Sequence, residues 1–189
     1  MADAGRVIAG SARGVRLAAP GPGTRALTDR VKQTLFAILE PDLDGAAVLD
    51  LFAGSGAGAI EALSRGAASA VLVERDAGAV RVIGENLRRA GVAAAARVER
   101  RDVIAWLGAA GTLRFDLVLV DPPYEDIETM TASLQELGTR HALLAPGARV
   151  VAKHFWRTSP PARVGLLASE RERRFGDTAL TFYRPTEDA

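Results

Sequence analysis

The residues Ala47-Val-Leu-Asp-Leu-Phe-Ala-Gly-Ser-Gly-Ala-Gly58 decide how this chain folds. Ala47 to Phe52, apolar except for Asp50, is too short for a helix and reads as a buried strand. Glycines follow at 54, 56 and 58, then an apolar stretch with helical spacing that ends near Gly66. Strand, glycine loop and helix in that order form the nucleotide-binding half of a doubly wound sheet. No Gly-Lys-Ser/Thr follows, which excludes a phosphate-binding P-loop. Gly54-Ser-Gly-Ala-Gly-Ala59 does fit the dinucleotide pattern, so the glycines alone leave the cofactor open.

Downstream, Ser69-Ala-Val-Leu-Val-Glu74 is a second strand, ending in an acid 18 residues after Gly56. A helix is expected from Ala77 to Ala90, with Val80, Ile83 and Leu87 on one face and Gly91 past its end. A weaker strand, Ala96 to Arg100, runs into Asp102, and Trp106 and Leu107 fall on a short helix. Phe115-Asp-Leu-Val-Leu-Val120 is again a buried strand, and it stops at Asp121-Pro-Pro-Tyr124. Two prolines remove two backbone donors and fix two φ angles near −65°. The chain therefore leaves the sheet stiffly at a strand's C-terminal end, where open α/β sheets bind ligands. A helix follows from Thr129 to Leu137, then a turn at Leu144-Ala-Pro-Gly147 and a fifth strand from Arg149 to His154. Thr158-Ser-Pro-Pro161 reads as a connector. Glu170–Phe175 and Thr178–Tyr183 read as a hairpin turning at Gly176-Asp177. The expected fold is α/β and Rossmann-like: a seven-stranded, mostly parallel sheet with helices on both faces and an antiparallel C-terminal hairpin.

Upstream, Thr28 is a good N-cap for a helix from Asp29 to about Leu39. Val7, Ile8, Val15 and Leu17 suggest a small hairpin turning between Gly10 and Gly14. Residues 1–33 hold six basic side chains (Arg6, Arg13, Arg16, Arg25, Arg30 and Lys32) against Asp3 and Asp29, a local +4. Residues 1–27 thus read as a basic arm able to contact backbone phosphates, and residues 28–189 as one globular domain. A solvated arm is the alternative.

Composition limits the rest. The chain has 189 residues, 48% hydrophobic and 25% charged, with a net charge of +1, so no global field points to nucleic acid. Cysteine is absent and the two histidines, His141 and His154, are far apart, so no metal site is expected. No apolar run approaches the roughly 20 residues that span a bilayer, and the N-terminus lacks a signal-peptide core. A monomer in a reducing cytoplasm is expected.

The form Asp50-Leu-Phe52-Ala-Gly54-Ser-Gly56 resembles motif I of class I S-adenosylmethionine methyltransferases. With Glu74 after strand two, Asp102 after strand three and Asp-Pro-Pro-Tyr after strand four, the order resembles the amino-methyltransferases of nucleic acids. Further stretches narrow the likeness: Arg6-Val-Ile-Ala-Gly10, Arg13-Gly14, Thr28-Asp-Arg-Val-Lys-Gln-Thr-Leu-Phe36, Glu61-Ala-Leu-Ser-Arg-Gly-Ala67 and Gly176-Asp-Thr178. Together they resemble the bacterial RsmD-type methyltransferases, which act on the exocyclic N2 of a guanine in small-subunit (16S) rRNA. The resemblance implies S-adenosylmethionine as cofactor, held by Asp50, Phe52, Ala53, Gly54, Ser55, Gly56, Glu74, Arg75, Asp102 and Val103. Glu74 would take two ribose hydroxyls and Asp102 the adenine amino group. Asp121, Pro122, Pro123 and Tyr124 would form the catalytic corner, and 16S rRNA or a subunit-assembly intermediate would be the substrate. One departure is Lys153 before His154, where that pattern has a glutamate. Rival readings are an adenine-N6 methyltransferase, an NAD-dependent oxidoreductase and a non-catalytic RNA-binding module.

Overall fold

A computed structural model describes residues 3–21 and 28–186. Arg25 lies outside them. The chain divides into two compact units, Met1–Asp102 and Val103–Ala189.

The first unit begins with a hairpin, β1 (Asp3–Arg6) and β2 (Arg16–Ala18), followed by helix α1 (Asp29–Leu39). The Thr28 hydroxyl caps α1 by accepting from the Val31 N–H at 3.4 Å, and Val31, Leu35, Phe36 and Leu39 form its buried face. Then come β3 (Ala47–Leu51), α2 (Ala57–Ser64), β4 (Ser69–Glu74), α3 (Ala77–Arg89) and β5 (Ala96–Arg100). The strands are parallel in the order β5-β4-β3, with Ala47 opposite Ser69 and Ala70 opposite Ala96. Val48, Leu49, Asp50 and Leu51 of β3 are all buried, the pattern of a strand covered on both faces. The Asp76 carboxylate caps α3 by accepting from the Ala79 N–H at 2.7 Å, and Ile83 and Leu87 point inward.

Polar side chains stitch the hairpin into this unit. Buried Glu61 on α2 accepts from the Ile8 and Ala9 N–H groups at 2.8 and 3.1 Å. The Ser64 hydroxyl accepts from the Ala12 N–H (2.9 Å) and donates to the Ala9 carbonyl (2.6 Å). Buried Asn86 on α3 accepts from the Ala18 N–H and donates to the carbonyls of Ala18 and Ser55, each at 2.9 Å.

The second unit holds α4 (Val103–Leu107), β6 (Phe115–Val120), α5 (Ile127–Thr139), β7 (Leu144–Phe155), β8 (Arg163–Val164), β9 (Leu167–Phe175) and β10 (Thr178–Pro185). Its strand order is β6-β7-β10-β9-β8; β6 and β7 are parallel and the remaining pairs antiparallel. The turn expected before the fifth strand lies inside β7. Phe115 pairs with Leu144 and Leu117 with Arg149, so the stretch around Pro146-Gly147 bulges from the ladder, Gly147 at φ +75°. A second difference is β8, two residues in the region expected to be irregular. Among the described residues this makes eight strands besides the N-terminal hairpin, one more than the seven expected. β8 is too short to carry an alternation of its own, and its pairing to Ala168 and Leu167 defines it. Among the described residues no helix is long and apolar enough to cross a membrane.

Candidate active site

In the first unit the chain leaves β3 through three residues of left-handed backbone. Phe52 has φ 64°, Gly54 56° and Gly56 76°. For glycine this conformation is free of strain, whereas a bulky aromatic adopts it only when its surroundings impose it. The loop is held from several sides. The Ala53 N–H donates to the Val73 carbonyl (3.1 Å), the Gly56 N–H to the Ala53 carbonyl (2.7 Å) and the Ser55 carbonyl accepts from Asn86. Gly56 is the N-cap of α2. A Cβ there would be strained by the φ, and it would lie 3.2 Å from a Leu72 methyl, which must give by a few tenths of an ångström.

Two carboxylates brace this loop. Asp50 is buried and its Oδ2 accepts from the Ala59 N–H in the first turn of α2 at 2.9 Å. Glu74, half-buried at the end of β4, accepts from the Gly54 N–H through Oε2 and from the Asp76 N–H through Oε1, both at 2.9 Å. Each Glu74 oxygen keeps a second lone pair, so the carboxylate remains able to accept a pair of hydroxyls. Arg75 and Asp102 are exposed, while Ala53 and Ser55 are buried and Phe52 is half-buried.

In the second unit β6 ends at Asp121, and the β6–β7 register, with Val120 opposite Ala152, places Lys153 beside it. The Lys153 Nζ donates to Asp121 Oδ1 at 2.5 Å. Lys153 keeps 8% of its side-chain exposure and Asp121 24%, so the carboxylate is the partner that reaches solvent. Burial pushes the Asp121 carboxyl above the usual carboxylate range, with the Lys153 ammonium pulling against it. Pro122 is buried, Pro123 exposed, and the Pro123 carbonyl accepts from the Asp126 N–H at 2.9 Å. Tyr124 is pinned at its hydroxyl, 2.5 Å from Thr178 Oγ1, and Lys153 Nζ lies 5.1 Å from its ring centroid. Val103, on α4 of this unit, is buried.

A family model described as "Conserved hypothetical protein 95" matches residues 5–184. The chain belongs to this family. It is 37% identical to a Bacillus subtilis protein named "Putative rRNA methyltransferase YlbH", over 95% of the chain and 98% of that protein. It is 44% identical to the "Ribosomal RNA small subunit methyltransferase D" of Escherichia coli K12 over 63% of the chain; the match spans 60% of that protein's length. Among solved structures, "Putative methyltransferase yhhF from Escherichia coli" superposes with a TM-score of 0.84 at 34% identity, covering 95% of this chain and 97% of the other. The RsmD-type likeness read from the motifs and the Rossmann-like methyltransferase fold are both borne out.

For this member of the Conserved hypothetical protein 95 family, the basic residues expected to meet RNA are divided. Arg13 and Arg30 are exposed. Arg6 pairs with Asp29 at 3.1 Å and Arg16 with Asp3 at 3.0 Å, both at the surface. Lys32 is fully buried: its ammonium donates to the Arg6 carbonyl, and burial lowers its pKa. It ties the hairpin to α1 and offers nothing to a phosphate. Sequence reasoning did not pair Lys153 with Asp121, nor Asn86 with the loop. The signal for the first was a lysine inside the apolar run Val150-Val-Ala-Lys153, since lysines are almost never buried without a partner.

Proposed function

We propose that the chain transfers the methyl group of S-adenosylmethionine to the exocyclic N2 amino group of a guanine in small-subunit (16S) rRNA. The observation that carries this reading is the Asp121 corner: a partly exposed carboxylate with one oxygen fixed by a buried lysine, followed by two prolines. The residues of the glycine loop suit the cofactor. The second lone pairs of Glu74 match two ribose hydroxyls, exposed Asp102 an adenine amino group, and the tight loop at Gly54 and Gly56 admits close backbone approach. Phe52, Ala53, Ser55 and Arg75 would line the same site, with Asp50 bracing the loop from beneath. S-adenosylmethionine supplies an electrophilic methyl group on a sulfonium that departs as a neutral thioether.

The chain's own work concerns the acceptor. The guanine N2 lone pair is delocalised into the ring, so it attacks only as the nitrogen becomes tetrahedral. Lys153 holds Oδ1 of Asp121, which turns Oδ2 to one N–H of the amino group; the Pro122 carbonyl accepts the other. Acceptors fixed in this way favour the tetrahedral nitrogen and cost no reorganisation during transfer. The methylated nitrogen is left cationic and loses one proton, to the Asp121 carboxylate or to water. Tyr124, held by Thr178, offers its ring to a base taken out of its RNA context. Guanine in place of adenine rests on the RsmD-type motifs, and a monomer working in the cytoplasm, where rRNA is assembled, accords with the same reading.

The test is methylation of rRNA from a strain lacking this protein, with the modified nucleoside identified by mass spectrometry. N2-methylguanosine is expected; N6-methyladenosine would overturn the guanine assignment, and no product the enzymatic one. Asp121→Ala should abolish transfer with the cofactor Kd changed less than several-fold, whereas Glu74→Ala should raise that Kd about tenfold or more by removing charge-assisted hydrogen bonds.

A further inference from the structure

We propose that Phe155, Trp156, Arg157 and Arg174, at the end of β7 and on β9, form a docking platform for single-stranded RNA. The proposal rests on the rRNA reading above and adds where the strand outside the target base is held.

A row of rings starts at the catalytic corner. The Tyr124 and Phe155 centroids are 6.4 Å apart with planes tilted by 40°, and Phe155 and Trp156 are 6.3 Å apart with a tilt of 55°. All three rings are half-buried, whereas the chain's other tryptophan, Trp106, is buried against Phe115. Two guanidinium groups cover Trp156. Arg174 Cζ lies 3.4 Å from its centroid and Arg157 Cζ 4.8 Å. The Arg174 Nε–H donates to the Gly176 carbonyl at 3.0 Å, which fixes the group over the ring.

Positive charge exceeds negative here: Arg157, Arg171, Arg173 and Arg174 stand against Glu172 and Asp177 once Glu170 is paired. Glu170 on β9 pairs with Arg184 at 2.8 Å, and Glu172 accepts from Thr181 at 3.3 Å with His154 3.9 Å away. Among the described residues Arg157, Arg173 and Arg174, all exposed, have no ion pair. On a chain of net charge +1, this surface sets exposed Arg157 and Arg174 against the ring of Trp156, beside Phe155 and Tyr124. Duplex RNA would use the cations only, because its bases are stacked on one another. Unpaired bases use the rings as well, and stacking tolerates any sequence.

The test measures binding of an end-labelled single-stranded RNA oligonucleotide of about 12 nucleotides, and of its duplex, across a salt series. Wild type, Trp156→Ala, Trp156→Phe and Arg157→Gln/Arg174→Gln are compared, with thermal unfolding and cofactor Kd measured on each. Trp156→Ala should weaken single-strand binding about tenfold and Trp156→Phe should restore most of it, with duplex binding little changed. The double arginine variant should lower the slope of log Kd against log salt by about 1.4. Unchanged affinity and slope in folded variants of an enzyme that methylates rRNA would overturn the platform alone. A wild type that methylates no rRNA would instead sink the functional reading, while the oligonucleotide series still decides the platform.

Discussion

With its Nζ 2.5 Å from Asp121 Oδ1 and little of its side chain exposed, Lys153 opposes the effect of burial on the corner's protonation and fixes its geometry. Burial raises the Asp121 pKa and the ammonium lowers it. Only the ionised carboxylate can accept from a substrate N–H through either oxygen, so activity is present above that pKa and lost as pH falls through it. Lys153→Met removes the lowering influence. The acid limb of kcat/KM should therefore move to higher pH, and the plateau should fall about a hundredfold as Oδ2 loses its fixed direction. A pH profile measured at saturating cofactor reads both effects; an unmoved limb would leave Lys153 a packing residue. How much of the corner was legible follows from the same pair. Asp121, Pro122, Pro123 and Tyr124 are contiguous and end an apolar run, so their placement could be read directly. The Lys153 partnership needs β7 beside β6 in one particular register, and nothing local encodes that. Phe52 is a similar case: glycines announce left-handed backbone, while a phenylalanine held there gives no sign of it.

At the level of elements, the joint between the N-terminal hairpin and α2 is the most constrained contact. Gly10 has φ +84°, and a Cβ on it would stand 1.7 Å from the Ser64 carbonyl oxygen. Gly10→Ala must lift the turn away from α2 and strip the Ile8, Ala9, Ser11 and Ala12 N–H groups of their acceptors. The expected loss is about 5 kcal/mol, from roughly 1 kcal/mol per hydrogen bond plus left-handed strain. Gly14→Ala is the control, since its φ is +86° but a Cβ there meets nothing within 4 Å, so only the strain should register. Calorimetric melting should separate the two by several degrees; equal shifts would mean that the joint adds nothing. Elements whose limits were read correctly, such as α1 at Asp29–Leu39 and β4 at Ser69–Glu74, carry their own caps or buried runs. The bulge in β7 and the two-residue β8 exist through their partners, which is why local pattern missed them.

For the molecule as a whole, a net charge of +1 conceals exposed basic residues in each unit, Arg13 and Arg30 in the first and Arg157, Arg173 and Arg174 in the second. The stitching of the hairpin also has a consequence in time. Residues 3–18 are translated before the acceptors that hold them, which come 52 to 68 positions later, on Glu61, Ser64 and Asn86. At 5–20 residues per second the ribosome needs about 3 to 14 s to make the last of these. A two-stranded hairpin this short is not stable by itself in water. Nascent chains arrested before Asn86 has emerged should therefore be cleaved by trypsin at Arg6, Arg13 and Arg16, and chains arrested well beyond it should resist. Protection at the earlier length would show that the hairpin stands without α3. Synthesis and folding thus run in opposite order in this unit: the hairpin is made before α2 and α3, and it waits for them.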